Sequence, residues 1–474
     1  MFGMDSATLS LGLQVAFFVC IAMVFLFEFV NGFHDTANAV ATVIYTKSLK
    51  PVQAVVWSGF LNFCGVFYSS YLGFEAAMKI ANLLPVEAII LQDPGHSAAM
   101  VIAVLLAAII WNLGTWYLGI PCSSSHTLIG ALLGVGLVFS TLPENASKVG
   151  VNWDKAKEIF SALLFSPLFG FSMAIVLMFI LRSTLRNNAE DNNKGLFKEP
   201  SPDSVPPTWI RVLLISTCSL VSFFHGSNDG QKGMGLLMVT LMTFMPFKYA
   251  LSPEFNPQNV QNTLTMIQQA LPSPESNNQF APVELGKTIE TIEALKQDMT
   301  LAVDIKSRLS IRKRISILAK NMKTLLDEPN IIQDDAKRAE IKREVKKLST
   351  YTHYVPNWAI ILVSLALGIG TMIGWKRIVV TIGEKIGKRH MTYAEGATAE
   401  LIAAATIGLS TQYGLPVSTT HVLSSGVAGA MVASKGVKNL QKGTITNIAL
   451  AWVLTLPATI ILSGGLYLLF RLFV

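Results

Sequence analysis

Long runs without charge constrain this chain more than any other feature. Val101–Ile110 and Ala359–Gly374 hold no charged residue, whereas the stretch from Lys287 to Lys347 is dense with them. A soluble protein of 474 residues spreads its charges along its whole length. Here only 14% of residues are charged and 51% are hydrophobic, and the two classes are segregated. That pattern marks alternation between bilayer and water. A span needs about 20 largely apolar residues to cross about 30 Å of hydrocarbon, and lipid offers no partner to an unpaired backbone group. The expected fold class is therefore an all-α integral membrane protein.

Candidate spans fall at about 11–46, 52–74, 97–119, 123–140 and 157–181, then at 209–247, 357–375, 396–412, 417–433 and 444–470. The division that follows is a first transmembrane repeat (1–181), a polar linker (182–208), the start of a second repeat (209–247), an insertion (248–356) and the rest of the second repeat (357–474). The insertion carries no spanning segment, and Ile305, Leu309, Ile315 and Leu318 follow a helical period within it. It reads as a small soluble helical module. The first apolar stretch, Leu11–Val30, lacks a basic leader and a small-residue cleavage site, so it is expected to stay as a helix. The net charge of +7 reflects basic loops at cytoplasmic helix ends, because no basic patch interleaves with aromatics as nucleic-acid binding requires. Cys20, Cys64, Cys122 and Cys218 lie in or beside apolar spans without CxxC spacing, and read as buried thiols.

The two series of spans look like copies. Asn31-Gly-Phe-His-Asp35 resembles His225-Gly-Ser-Asn-Asp229, and Pro121-Cys-Ser-Ser-Ser-His126 resembles Pro416-Val-Ser-Thr-Thr-His421. The aspartates are 194 residues apart and the prolines 295, and the difference of 101 is about the size of the insertion. Removing the insertion restores one repeat length for both motifs. Internal repeats of this sort are a mark of secondary transporters. The basic loops after the first, fifth, seventh and ninth spans all fall inside if each candidate crosses once, which leaves both termini outside. Each half then crosses an odd number of times, so the expectation is two inverted repeats of about five spans each, with broken helices and re-entrant or half-helix segments. The same counting puts the insertion outside; re-entrant Asp segments would move it inside.

Each first motif buries an acid in an apolar segment. Asp35 is surrounded by Asn31, His34 and Asn38; Asp229 by His225, Asn228, Gln231 and Lys232. A carboxylate at membrane depth costs about 2.5–3.5 kcal/mol on insertion scales, so it should face a cavity or a cation. Asp35, Asp229, His34 and His225 are thus candidates for a coupling ion or proton, against the plainer alternative of acids capping a helix at the interface. Gly32 and Gly226 suggest points where the helix opens. Lys232 lies within i,i+3 reach of Asp229. Glu400, in the apolar run Ala397–Ser410, is a candidate proton site or a snorkelling interfacial acid.

Each second motif sets hydroxyls at a helix start. Ser123, Ser124 and Ser125 follow Pro121; Ser418, Thr419 and Thr420 follow Pro416. A helix N-terminus is its positive end and suits an anion, so two such ends could hold a small tetrahedral oxyanion. Plain N-capping is the competing use. His126 and His421 lack a suitably spaced metal partner and are expected to orient these loops, or to relay protons. The glycines at 130–136 and 426–429 suit close helix packing.

These motifs carry a family resemblance. Asn31–Val43 (NGFHDTANAVATV), Phe224–Gly235 (FHGSNDGQKGMG), Gly414–His421 (GLPVSTTH) and Gly368–Gly387 (GIGTMIGWKRIVVTIGEKIG) resemble the signatures of the PiT inorganic phosphate transporters, in particular their bacterial low-affinity branch. The resemblance implies symport of inorganic phosphate in a bacterial inner membrane, with H+, Na+ or a divalent metal ion travelling alongside and no resident cofactor. By motif, it makes Asp35, Asn38, Asn228 and Asp229 substrate or ion ligands, and Ser124, Ser125, Thr419 and Thr420 phosphate donors. Two departures turn the expectation from sodium towards protons: His34 stands where the family has Asn, and Gln231-Lys232 where it has Ala-Asn. A neutral metal–phosphate complex is one form the substrate could take, and a second copy of the chain is a candidate partner.

Other classes fit less well. A channel would share the spans but need no coupling acids. A membrane enzyme acting on phosphate esters would need a nucleophile or metal cluster, and neither HExxH nor paired Cys/His ligands occur in the sequence. Another tetrahedral oxyanion would satisfy the same helix ends.

Overall fold

The computed structural model describes residues 10–84, 86–145, 150–185, 195–201, 205–271, 283–300, 304–327, 332 and 334–474. These residues are helical with short connections, and no strand ladder occurs among them. In chain order the helices are α1 (Leu11–Tyr45), α2 (Pro51–Leu72), α3 (Glu75–Ala81), α4 (Val86–Ile90), α5 (Pro94–Tyr117), α6 (Ser124–Thr141), α7 (Trp153–Leu185) and α8 (Thr208–Phe244). Then come α9 (Pro246–Tyr249), α10 (Pro257–Ala270), α11 (Val283–Thr300), α12 (Ile305–Asp327) and α13 (Asp335–Thr350). The chain closes with α14 (Asn357–Thr371), α15 (Lys376–Glu384), α16 (Tyr393–Gln412), α17 (Thr419–Lys435) and α18 (Lys442–Phe470).

The chain divides into two compact units. One holds residues 241–354 with 89–91, and the other holds the rest. In the smaller unit α10–α13 bury a stripe at helical spacing, with Ile311, Ile315, Leu318, Met322 and Leu325 of α12 at its centre. Leu309 is buried too, but on the other side of α12 and outside this cluster, and Ile305 is 39% exposed. Arg312 is also buried, and its guanidinium donates to the Ala250 carbonyl at 3.0 Å and the Thr352 carbonyl at 2.8 Å.

In the larger unit α1, α2, α5, α6, α7, α8 and α18 are each long and apolar enough to cross a membrane, and the pair α14–α15, bent by 62°, makes an eighth candidate. Large apolar side chains stay exposed on their outer faces, such as Leu164 and Phe165 on α7 and Val453 and Ile461 on α18, as lipid contact demands. The expected spans at 396–412 and 417–433 are helices as well, α16 and α17, but neither is among these seven. Most of their residues are buried by protein, so their surroundings do not require them to be apolar throughout.

The breaks differ from expectation in a telling way. The helix was expected to open near Asn31–Asp35 and near His225–Asp229, yet α1 and α8 run through both motifs for 35 and 37 residues. Their glycines serve close approach instead. A Cβ on Gly32 would lie 2.4 Å from the Leu367 carbonyl of α14, and one on Gly226 would lie 2.2 Å from the Asn62 carbonyl of α2. The second pair of motifs does interrupt the chain, by the same device twice. Gly119 (φ +68°) and Gly414 (φ +61°) end α5 and α16 in the left-handed region open to glycine. Pro121 and Pro416 follow two residues later, and Ser123 and Ser418 then cap α6 and α17 by accepting the amides of His126 and His421.

Contacts also repeat between the halves. α1 packs on α14, where a Cβ on Gly370 would meet the Phe29 carbonyl, and α8 meets α2, where one on Gly65 would meet the Phe223 carbonyl. Similarly α6 packs on α18 and α17 on α7. Each first helix thus lies on the other half's second helix, and each hydroxyl-headed helix on the other half's last.

Candidate functional site

That interlocking brings all four motifs to one place. Asp35 of α1 is 1% exposed and Asp229 of α8 is fully buried. Ser124, at the start of α6, donates to Asp35 Oδ2 at 3.0 Å, and Thr420, at the start of α17, donates to Asp35 Oδ1 at 2.5 Å. Hydroxyls from both halves therefore end on one carboxylate. Asn31, one turn before Asp35, faces three acceptors with its amide nitrogen: Ser124 Oγ at 2.8 Å, Asp35 Oδ2 at 3.0 Å and Asp229 Oδ2 at 3.3 Å. Lys232 Nζ donates to Asp229 Oδ1 at 2.7 Å, one helical turn along α8.

The two histidines meet the acids through one ring nitrogen each. Thr115 Oγ1 lies 2.9 Å from the Trp111 carbonyl, 3.2 Å from the Asn112 carbonyl and 3.2 Å from His34 Nε2, where the ring tautomer sets which atom donates. The other ring nitrogen, Nδ1, is 3.3 Å from Asp35 Oδ1. On α8, Asn62 directs its amide nitrogen to Thr371 Oγ1 at 3.0 Å, which leaves its oxygen to accept from His225 Nδ1 at 2.7 Å. His225 Nε2 then faces Asp229 Oδ2 at 3.3 Å and Asp35 Oδ2 at 4.0 Å. A neutral imidazole has one donor nitrogen, and in His225 that donor is engaged by Asn62. The His225–Asp229 contact is then favourable only with a further proton in it, on the ring or on the acid.

Asp35, His225 and Asp229 each place an atom within 4.8 Å of the others, a spacing at which three groups could share a small cation. Lys232 also brings its ammonium to Asp229 Oδ1 here, so the acids and bases form an ion-pair network.

Other candidate residues have structural partners. Ser123 and Ser418 are committed to capping, and Ser125 donates to the Val417 carbonyl at 2.8 Å, tying α6 to the chain before α17. Thr419 is buried and its hydroxyl has no partner among the described residues. Asn228 donates to Thr411 Oγ1 and the Leu415 carbonyl, both at 3.1 Å, and accepts from the Val417 amide at 3.3 Å, so it holds the interrupted segment in shape. Gln231 accepts from the Ala76 and Ala77 amides, capping α3. The rings of His126 and His421 lie 4.5 Å apart, and His421 stacks on Trp452 at 4.0 Å. Glu400 accepts from Thr217 at 2.5 Å and makes no contact with the Asp35 group among the described residues. The Asn38 side chain lies outside the described residues.

Two members escaped the motif reading: Asn62 and Thr115. Each is a polar side chain in an otherwise apolar span, and that by itself was the available signal.

Comparison with known proteins finds relatives along nearly the whole chain. The model of the phosphate transporter family matches residues 31–463. The chain is 40% identical to the low-affinity inorganic phosphate transporter PitA of Escherichia coli (strain K12), over 97% of this chain and 98% of that protein. It is 39% identical to PitB of the same strain, over 95% of each, and 28% identical to a probable low-affinity inorganic phosphate transporter of Bacillus subtilis (strain 168), over 94% of each. A solved structure titled "The sodium-dependent phosphate transporter" superimposes with a TM-score of 0.55 at 20% identity, covering 97% of this chain and 100% of that one. This last likeness is one of fold.

Proposed function

The chain belongs to the phosphate transporter family, and we propose that it imports inorganic phosphate across a bacterial plasma membrane by proton-coupled symport through alternating access. The observation that carries the coupling is the proton count at His225, which faces both acids. Its Nδ1 already donates to Asn62, so the side facing Asp229 and Asp35 holds a proton or repels.

The same geometry links proton and phosphate. Ser124 and Thr420 donate to Asp35, yet they head the two helix ends suited to an oxyanion. A protonated Asp35 is a weaker acceptor, so it releases these hydroxyls and no longer repels an approaching dianion. Phosphate then takes them, with Thr419 as a further donor. Lys232 holds Asp229 neutral as a pair, in the place where a sodium ion would otherwise be needed. The substrate is free phosphate or its neutral complex with a divalent ion, and the two halves, inverted relative to each other, alternate in opening the site to either side.

Uptake of labelled phosphate into proteoliposomes, with pH and sodium gradients imposed one at a time, tests the reading. An inward proton gradient is expected to drive accumulation and a sodium gradient alone is not. Asp35→Asn and Asp229→Asn should abolish uptake while the protein still reaches the membrane. Sodium-driven accumulation without any pH effect, or full transport by both variants, would sink it.

A further inference from the structure

Glu28 lies two turns before Asp35 on α1 and is fully buried, with neither carboxylate oxygen hydrogen-bonded among the described residues. An ionised acid without a partner in such surroundings is costly enough that it takes up a proton instead. Its position is specific. A Cβ on Gly233 of α8 would come within 2.4–2.6 Å of Glu28 Cγ, Cδ and Oε1, so glycine beside Lys232 makes the room this side chain occupies. The charged or titratable groups facing Glu28 are Asp229, Lys232 and His225 of α8, with His34 and Asp35 further along its own helix. α2 and α14, which also pack on α1, carry no charged side chain.

Asn31 supplies a second line of reasoning. It follows Glu28 by three residues, on the same helix face. Its amide nitrogen is turned towards Asp35, Asp229 and Ser124. Asn31 therefore stands beside Glu28 and reaches the Asp35 group with the same side chain.

From this geometry we propose that Glu28 is a proton-binding site of the transport cycle, protonated while Lys232 pairs with Asp229 and deprotonated when Lys232 turns to it. In that step the Glu28 O–H bond breaks and its proton passes to water on the releasing side. The released proton takes one positive charge from the site; the ammonium then neutralises Glu28, and Asp229 keeps His225 Nε2, 3.3 Å from its Oδ2, as its partner. When Asp229 recovers Lys232, Glu28 takes a proton again from the loading side. The proposal deepens the proton-coupled reading above and rests on it.

Two assays on the purified full-length chain in proteoliposomes separate the possibilities. One follows accumulation of labelled phosphate under an imposed pH gradient, and the other exchange of labelled for unlabelled phosphate with no gradient. For Glu28→Gln, gradient-driven accumulation should fall about tenfold or more while exchange stays within about threefold of wild type. Glu28→Asp, which keeps an ionisable acid, should retain driven uptake. Undiminished driven uptake by Glu28→Gln overturns the proposal. So does loss of both activities in a variant that still unfolds at the wild-type temperature, because that places Glu28 in binding or structure. Should Glu28→Gln not accumulate, Glu28→Met is read by the same criteria. If the wild-type protein itself ignores the pH gradient, the proton-coupled reading fails first and takes this one with it.

Discussion

Lys232 and Asp229 are exposed by 1% or less, so their pairing bears on stability before it bears on transport. Removing one member of a buried pair strands the other, at a cost of about 3–5 kcal/mol, while removing both is often near neutral. Lys232→Met should therefore lower the unfolding temperature of the detergent-solubilised protein sharply, and Lys232→Met with Asp229→Asn should recover most of the loss. Equal destabilisation by the single and double variants would mean that the ammonium has another partner. At this scale the sequence disclosed residue types well and roles poorly. The three-residue step from Asp229 to Lys232 is a local relation, and it held. Gln231, between them in sequence, points elsewhere and caps α3, because successive side chains on a helix leave it at about 100° to one another.

At the scale of elements, glycine shows why the broken helices were misplaced. A glycine in a span can free the backbone to open or admit another backbone, and the residue itself does not say which. Gly32 and Gly226 do the second, against α14 and α2. Overpacking of this kind costs about 1–3 kcal/mol and more where only backbone could yield. Gly32→Ala and Gly226→Ala should each reduce thermal stability and the yield of folded protein. By contrast Gly286 of α11 has open space around its Cβ position, and Gly286→Ala should stabilise by up to about 1 kcal/mol through helix propensity. Thermal unfolding of the three variants checks both signs. Indistinguishable behaviour would remove the case for close approach. The interruptions before α6 and α17 were legible, because Gly, Pro and a capping Ser at fixed spacing act within a few residues.

For the whole molecule, the expected inversion of the two halves makes a prediction about sidedness. Single cysteines in the loops at 47–50 and 436–441, in a background without Cys20, Cys64, Cys122 and Cys218, should react with an impermeant thiol reagent only from the cytoplasmic side. One at Asp93 should react only from outside. Labelling of the first two loops from opposite faces would dismiss the inverted arrangement. Bilayer residence, the helical fold, the doubled motifs and the inserted helical unit were set by the sequence, because solvent imposes them locally: lipid demands about 20 apolar residues per span and no unpaired backbone. The resemblance of the motifs added phosphate. Only tertiary structure decided that Ser124 and Thr420, 89 and 385 residues from Asp35, both end on its carboxylate, and that Asn62 takes a hydrogen from His225. The physical reason is that hydropathy and periodicity say which face of a helix is polar. Which other polar face it meets is settled when helices pack across the chain, and there each buried donor and acceptor must find its partner.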